Sequence, residues 1–387
     1  MSSQAQQQKI AFANTLRGFA ALSVLFFHYF YVFWVLPKGV SSLINAPELR
    51  LPAPSFVKWI QFDPIFSWGP FGVGLFFLIS GFVMPFSLRK ATMAGFLGNR
   101  ILRILPTYMV GFSLTLCALL ISCLYFGQEW PHYIENIVPH YFPGIRDVLN
   151  VPTIDGIIWT LDIEMKFYLV CALCIAWFRR MSKAVFTLPF GLFLISIVAW
   201  SWLGKNAAWF DLTTVTYYYA AVSIIIASQF IVYMFIGTTF HYLHQELLSV
   251  RAAIIVILAL LIIFITMQYI GPDSKGQNLV MNYVWALSLF SFAYAFPRFF
   301  SGNWITDFFA NISYPLYEVH GICGYVALRI MLEMEIRSYI ALPTATVGAI
   351  ALAFCIHWAI ERPFHELAKS VSRRSTAYIN GLSVTPI

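Results

Sequence analysis

The chain has 387 residues, 60% of them hydrophobic and 11% charged, where a soluble domain carries about 25% charged residues. Too little polar surface is available to wrap a water-soluble globule, so a soluble enzyme is excluded. The net charge of +7 does not point to nucleic acid either, because the cations sit in short connections instead of clustering on one soluble face.

Apolar segments of about 20 residues are long enough to cross a hydrocarbon core of about 30 Å as helices. Ten are expected, over 15–36, 69–87, 107–126, 158–178, 184–203, 215–240, 252–271, 278–297, 311–331 and 342–361. This defines an all-α, polytopic integral membrane protein with about ten transmembrane helices. The polar start, Met1 to Lys9, runs into an apolar stretch longer than a cleavable signal core and without a small-residue cleavage pattern, so it reads as a true span. No polar stretch of domain size intervenes, which predicts one membrane domain over 1–367 and a short tail over 368–387. Lys and Arg concentrate on one side of this layout, and the positive-inside rule then puts both termini in the cytoplasm of a cell inner (plasma) membrane protein.

An ionisable residue inside a span costs about 2.5–3.5 kcal/mol at the bilayer centre on insertion scales, so each one asks for a cavity or a partner. The first span carries Arg17 and His28. Eleven steps make about three helical turns, which puts both on one face, roughly 16 Å apart along the axis. Arg17 also fits a snorkelling anchor, and His28 a neutral histidine bonded between helices. Between the second and third spans, Arg89, Lys90, Arg100 and Arg103 gather beside the membrane, which suits an anionic group such as a nucleotide phosphate as well as ordinary positive-inside charge. The outer loops 37–68 and 127–157 are long and rich in Pro, Trp and Asn.

In the fourth span Asp162 and Lys166 are four residues apart and are expected to neutralise each other, leaving Glu164 to find a partner elsewhere or to be protonated. Near the ninth span Tyr314, Tyr317 and His320 share a face, Glu318 follows Tyr314 by four, and Pro315 is a candidate kink. No metal site is expected, since His241 and His244 have no third ligand nearby in sequence, and the Cys171 and Cys174 pair lies inside an apolar run.

Six fragments in order resemble acyltransferase family 3, membrane proteins that O-acylate surface and secreted carbohydrates. They are LRGFAALSVLFFH from Leu16 to His28, GVGLFFLISGFVM from Gly72, FLGNRILRILP from Phe96 to Pro106, WTLDIEMKFY from Trp159 to Tyr168, ISYPLYEVH from Ile312 to His320, and ERPF from Glu361. The sequence departs from the family pattern at Asn14, Met165 and Glu318. The resemblance implies acetyl-CoA or another acyl-CoA as donor substrate, with no bound cofactor, and a carbohydrate or lipid-linked glycan hydroxyl as acceptor. It implies His28, Glu164 and Arg17 as catalytic residues, and Arg100, Arg103, Arg89 and Lys90 as donor-binding cations. Trp159, Asp162, Tyr168, Tyr317, Glu318 and His320 are supporting or acceptor candidates. The partners are then acyl-CoA, the glycan acceptor and membrane lipid, with no nucleic acid. The rival readings are a multi-span transporter with a proton-relay His/Glu site, and a membrane acyltransferase of another family.

Overall fold

The computed structural model describes residues 3–60, 65–89, 91–206, 214–272 and 279–370, with side chains from residue 11 onward. Lys90 and residues 371–387 of the expected tail lie outside the described residues. Every regular element among the described residues is helical. The principal helices are α1 (Ser3–Phe27), α2 (Trp68–Leu88), α3 (Met93–Phe126), α4 (Ile158–Leu173), α5 (Thr187–Lys205), α6 (Val215–His244), α7 (Val250–Ile270), α8 (Val280–Ala295), α9 (Trp304–Val319), α10 (Ile322–Glu333) and α11 (Ser338–Ile356).

Among the described residues, seven helical stretches are long and apolar enough to cross a membrane, and α8 is a shorter apolar helix. The expected layout of ten is redrawn at three places. The stretch 311–331 is not one continuous helix: the chain leaves helix at His320 and Gly321, so its residues divide between α9 and α10. The His320 ring hydrogen-bonds the carbonyls of Leu316 and Tyr317 at 3.0 and 2.8 Å, competing with the backbone ladder of the next turn. The fourth span is also shorter than expected, ending at Leu173, with a separate turn over Ile175–Arg179. The third begins earlier: the basic motif is the first part of α3, started by Thr92, whose hydroxyl accepts from the Gly95 amide at 3.1 Å, and ended by left-handed Gly127 at φ 65°.

Helices α2 and α6 are mostly buried, whereas α5 and α7 expose most of their surface as an outer layer. The inner pair approaches through glycines. A Cβ on Gly81 would stand 1.8 Å from the Met234 carbonyl oxygen, and one on Gly237 2.1 Å from that of Leu78. Such small-residue contacts let backbones close without lipid being able to compete. Thr238 fastens the seam by donating to the Gly81 carbonyl at 3.1 Å. Helix α1 lies against α2 and α9 on the same plan, with Gly72 close to the Ala20 carbonyl and Gly18 close to the Ala310 amide. The polar residues of α1, α2, α3, α4 and α9 are thereby brought together inside the bundle.

Candidate active site

Two cavities adjoin within this bundle. The first, about 180 Å³, is lined by Arg17 of α1, Ser80 and Ser87 of α2, Arg100 and Arg103 of α3, Glu164 and Tyr168 of α4, and Glu361. The second, about 680 Å³, is lined by His28, Asp155, Trp159, Gln268 and Tyr325 within a mostly aliphatic and aromatic wall. Val73, Tyr317 and Glu318 face both.

In the first cavity the Arg100 guanidinium donates to the Ser87 hydroxyl at 2.5 Å and lies 5.4 Å from the Tyr168 ring centre and 5.5 Å from that of Phe96. Aromatic faces attract a guanidinium through their quadrupole while leaving its other N–H groups free. Glu164 accepts from Ser80 at 2.6 Å and from the Tyr168 hydroxyl, so it holds the ring on which Arg100 rests. Arg17 and Arg103 form no ion pair among the described residues. Three guanidinium groups therefore face a space bordered by three carboxyl groups, Glu164, Glu318 and Glu361, with Glu361 engaged by His357 at 2.6 Å. Arg89, by contrast, is exposed and bonds Gln245 at 3.4 Å, away from both cavities.

The second cavity is built where α1 changes winding. His28 opens a π-helical turn, His28–Val32, a local feature common at functional sites. Its Nδ1 is hydrogen-bonded to the Tyr325 hydroxyl of α10. The His320 ring stands edge-on to it, 4.9 Å between ring centres. His320 is buried; Nδ1 donates to two backbone carbonyls, while Nε2 has no hydrogen-bond partner among the described residues. Tyr317 accepts from the Thr160 hydroxyl at 2.8 Å. Glu318 is buried opposite Gly111, where an added Cβ would come within 3.0 Å of the Glu318 Cβ. The backbone of α3 at Gly111 therefore lies close behind residue 318 and leaves little room there for a side chain.

Several expected partnerships are different. Arg17 and His28 face separate, adjoining cavities, and the imidazole's partner is Tyr325. Asp162 does not pair with Lys166. It is buried against Arg146 of the outer loop at 2.7 Å and accepts the Gly144 amide at 2.6 Å. Lys166 instead meets Asp147 of the same loop at 2.5 Å. The four-residue spacing allowed the intrahelical pair, but the loop folds onto α4 and offers each charge a partner of its own. Neither Asp162 nor Lys166 lines either of these two cavities.

Tyr325, Ser80 and Asp155 carried no site expectation. Tyr325 is one of many aromatic residues in apolar sequence, and nothing in its spacing relates it to a histidine 297 residues away. Glu361 was quoted within a motif without a role, and its place opposite Arg17 depends on how α11 returns to the bundle.

The site belongs to a helical, multi-pass membrane protein with an internal cation-lined cavity next to a histidine-lined one. The sequence model of acyltransferase family 3, described as an acyltransferase domain, matches residues 10–362, and the chain belongs to that family. It is also similar to nodulation protein 10 of Rhizobium leguminosarum bv. viciae, 30% identical over 190 residues covering 44% of this chain and 46% of the relative. The chain thus spans about half the length of the curated relative it matches. No solved structure matches it.

Proposed function

We propose that the protein transfers an acyl group, acetyl first among candidates, from acyl-CoA to a hydroxyl of a surface or exported carbohydrate. The observation that carries this reading is the pair of adjoining cavities, one lined by guanidinium groups without ion-pair partners among the described residues, the other by a histidine whose Nδ1 is engaged.

In this reading the first cavity receives the donor. Arg100 and Arg103 hold the donor phosphates, because guanidinium N–H groups match phosphate oxygens in pairs. Arg17, in the same cavity, guides the thioester arm toward Tyr317 and Glu318. Glu164 acts through Tyr168, keeping the ring beneath Arg100. The acceptor occupies the second cavity. With Nδ1–H donating to the Tyr325 oxygen, His28 has its lone pair on Nε2 and serves as general base.

His28 takes the acceptor's hydroxyl proton as that oxygen forms a bond to the thioester carbonyl carbon. The tetrahedral adduct then expels the CoA thiolate by breaking the C–S bond. The imidazolium returns its proton to the thiolate, so the products are the O-acyl ester and CoA thiol. Mid-membrane burial excludes bulk water, which would otherwise hydrolyse the thioester.

The test is incubation of membranes with radiolabelled acetyl-CoA, followed by counting of label on purified surface glycan. The wild type is expected to label glycan. His28→Ala is expected to lower labelling by at least a thousandfold while reaching the membrane in normal amount. Full activity in His28→Ala would remove the base assignment, and substrate movement without labelling would favour a carrier.

A further inference from the structure

Asp155 lies in the last residues of the outer loop, just before α4, and is buried, with 3% of its surface exposed. Its Oδ1 accepts the backbone amides of Ile157 and Ile158 at 3.2 and 2.9 Å, which caps the start of α4. That accounts for one oxygen. Among the described residues no hydrogen bond reaches Oδ2, and Asp155 is one of the residues that line the same cavity as His28. Burial raises the carboxyl group to about 6, against the pull of the Ile158 and Ile157 amides. A carboxylate desolvated in this way retains one acceptor not engaged among the described residues, on a residue that borders an internal space.

The chemistry of that space limits what Oδ2 could receive. An ionised carboxylate only accepts hydrogen bonds, so its partner must be a donor. Donor phosphates would be repelled by it, and the guanidinium groups that suit them line the other cavity. A neutral polyhydroxyl ligand fits. The wall is otherwise largely apolar and includes the Trp159 ring, and in such pockets a few placed polar groups fix the orientation of the ligand. His28, Asp155 and Thr115 supply polar groups from three separate elements around it.

We propose that Asp155 binds a hydroxyl of the carbohydrate acceptor through Oδ2, next to the hydroxyl that His28 deprotonates. This rests on the acyl-transfer reading above. Asp155 thereby links acceptor binding to the start of α4, whose own residues reach the donor cavity at Glu164. Trp159, four residues along, offers a face on which a sugar ring can lie.

Capping and acceptor binding are separable, because an asparagine or serine side chain caps a helix about as well as aspartate. The experiment uses purified full-length protein in detergent, radiolabelled acetyl-CoA, and total surface glycan extracted from cells lacking the gene, titrated as acceptor. For Asp155→Asn and Asp155→Ser, the glycan concentration at half-saturation is expected to rise at least tenfold, with the half-saturating acetyl-CoA concentration within twofold of wild type. Wild-type glycan saturation in either capping variant would overturn the proposal. An equal rise for both substrates would also overturn it, marking a purely structural cap. Absence of labelling by the wild type would instead overturn the acyl-transfer reading.

Discussion

Arg103 has its guanidinium in the first cavity and no ion pair among the described residues, whereas Arg100 is already positioned by Ser87 and two rings. Removing Arg103 should therefore cost donor affinity more directly than local packing. Hydrogen bonds to charged groups contribute about 1.5–3 kcal/mol each. Arg103→Ala is accordingly expected to raise the half-saturating acetyl-CoA concentration roughly tenfold to a hundredfold, with the maximal rate little changed. Arg103→Lys should recover only part of the loss, since an ammonium cannot match phosphate oxygens in pairs. Titration of labelled acetyl-CoA at saturating glycan measures both. The same scale shows what residue identity made legible. Arg17, His28 and Glu164 stood out because charge is expensive among apolar residues, and Arg100 and Arg103 because cations gather there beside the membrane. Tyr325 and Ser80 were not, because a tyrosine or serine in a span needs no special explanation.

At the scale of elements, the site depends on close helix contacts. Gly237 of α6 faces α2, where an added methyl group would meet the Leu78 carbonyl oxygen at 2.1 Å and the Phe82 amide at 2.8 Å. Both are backbone atoms and cannot rotate away. Gly237→Ala is expected to separate the two helices at a cost at or above the roughly 1–3 kcal/mol of ordinary overpacking. A lower melting temperature of the detergent-solubilised protein would register it, and an unchanged melting temperature would contradict the contact. Helix positions followed from runs of apolar residues, but the break at His320 did not. Ile312 to Tyr325 is apolar enough to read as one helix, and the interruption comes from a histidine ring bonding backbone carbonyls. The start of α3 was misplaced for a related reason: its basic residues lowered the hydropathy of a segment that is nonetheless helical.

At the scale of the whole molecule, the outer loop is joined to the bundle by Arg146–Asp162 and Asp147–Lys166. Burial alone would raise the Asp147 carboxyl, but the Lys166 charge, with hydrogen bonds from Lys166 and Ser223, more than offsets this and holds it below its usual 3.8. A carboxyl lowered on folding contributes stability above its unfolded value, and that contribution is lost as pH falls through the folded one. Asp147→Asn should therefore destabilise the protein by roughly 1.5–3 kcal/mol at neutral pH. The difference from wild type should shrink progressively below about pH 4. Melting curves from pH 7 to 3 measure this directly, and a difference independent of pH would mean that the pair contributes no electrostatic stabilisation.

The membrane class, the helical architecture and the acyltransferase family were determined by the sequence itself. An apolar composition dictates the solvent, and motif residues keep their order along the chain whatever the fold. Tertiary structure alone decided that Arg17 and His28 serve neighbouring cavities, that Tyr325 holds the imidazole, and that Asp162 anchors a loop. Those partners come from segments far apart in sequence, and only the packing of one helix against another determines which polar group each buried charge meets.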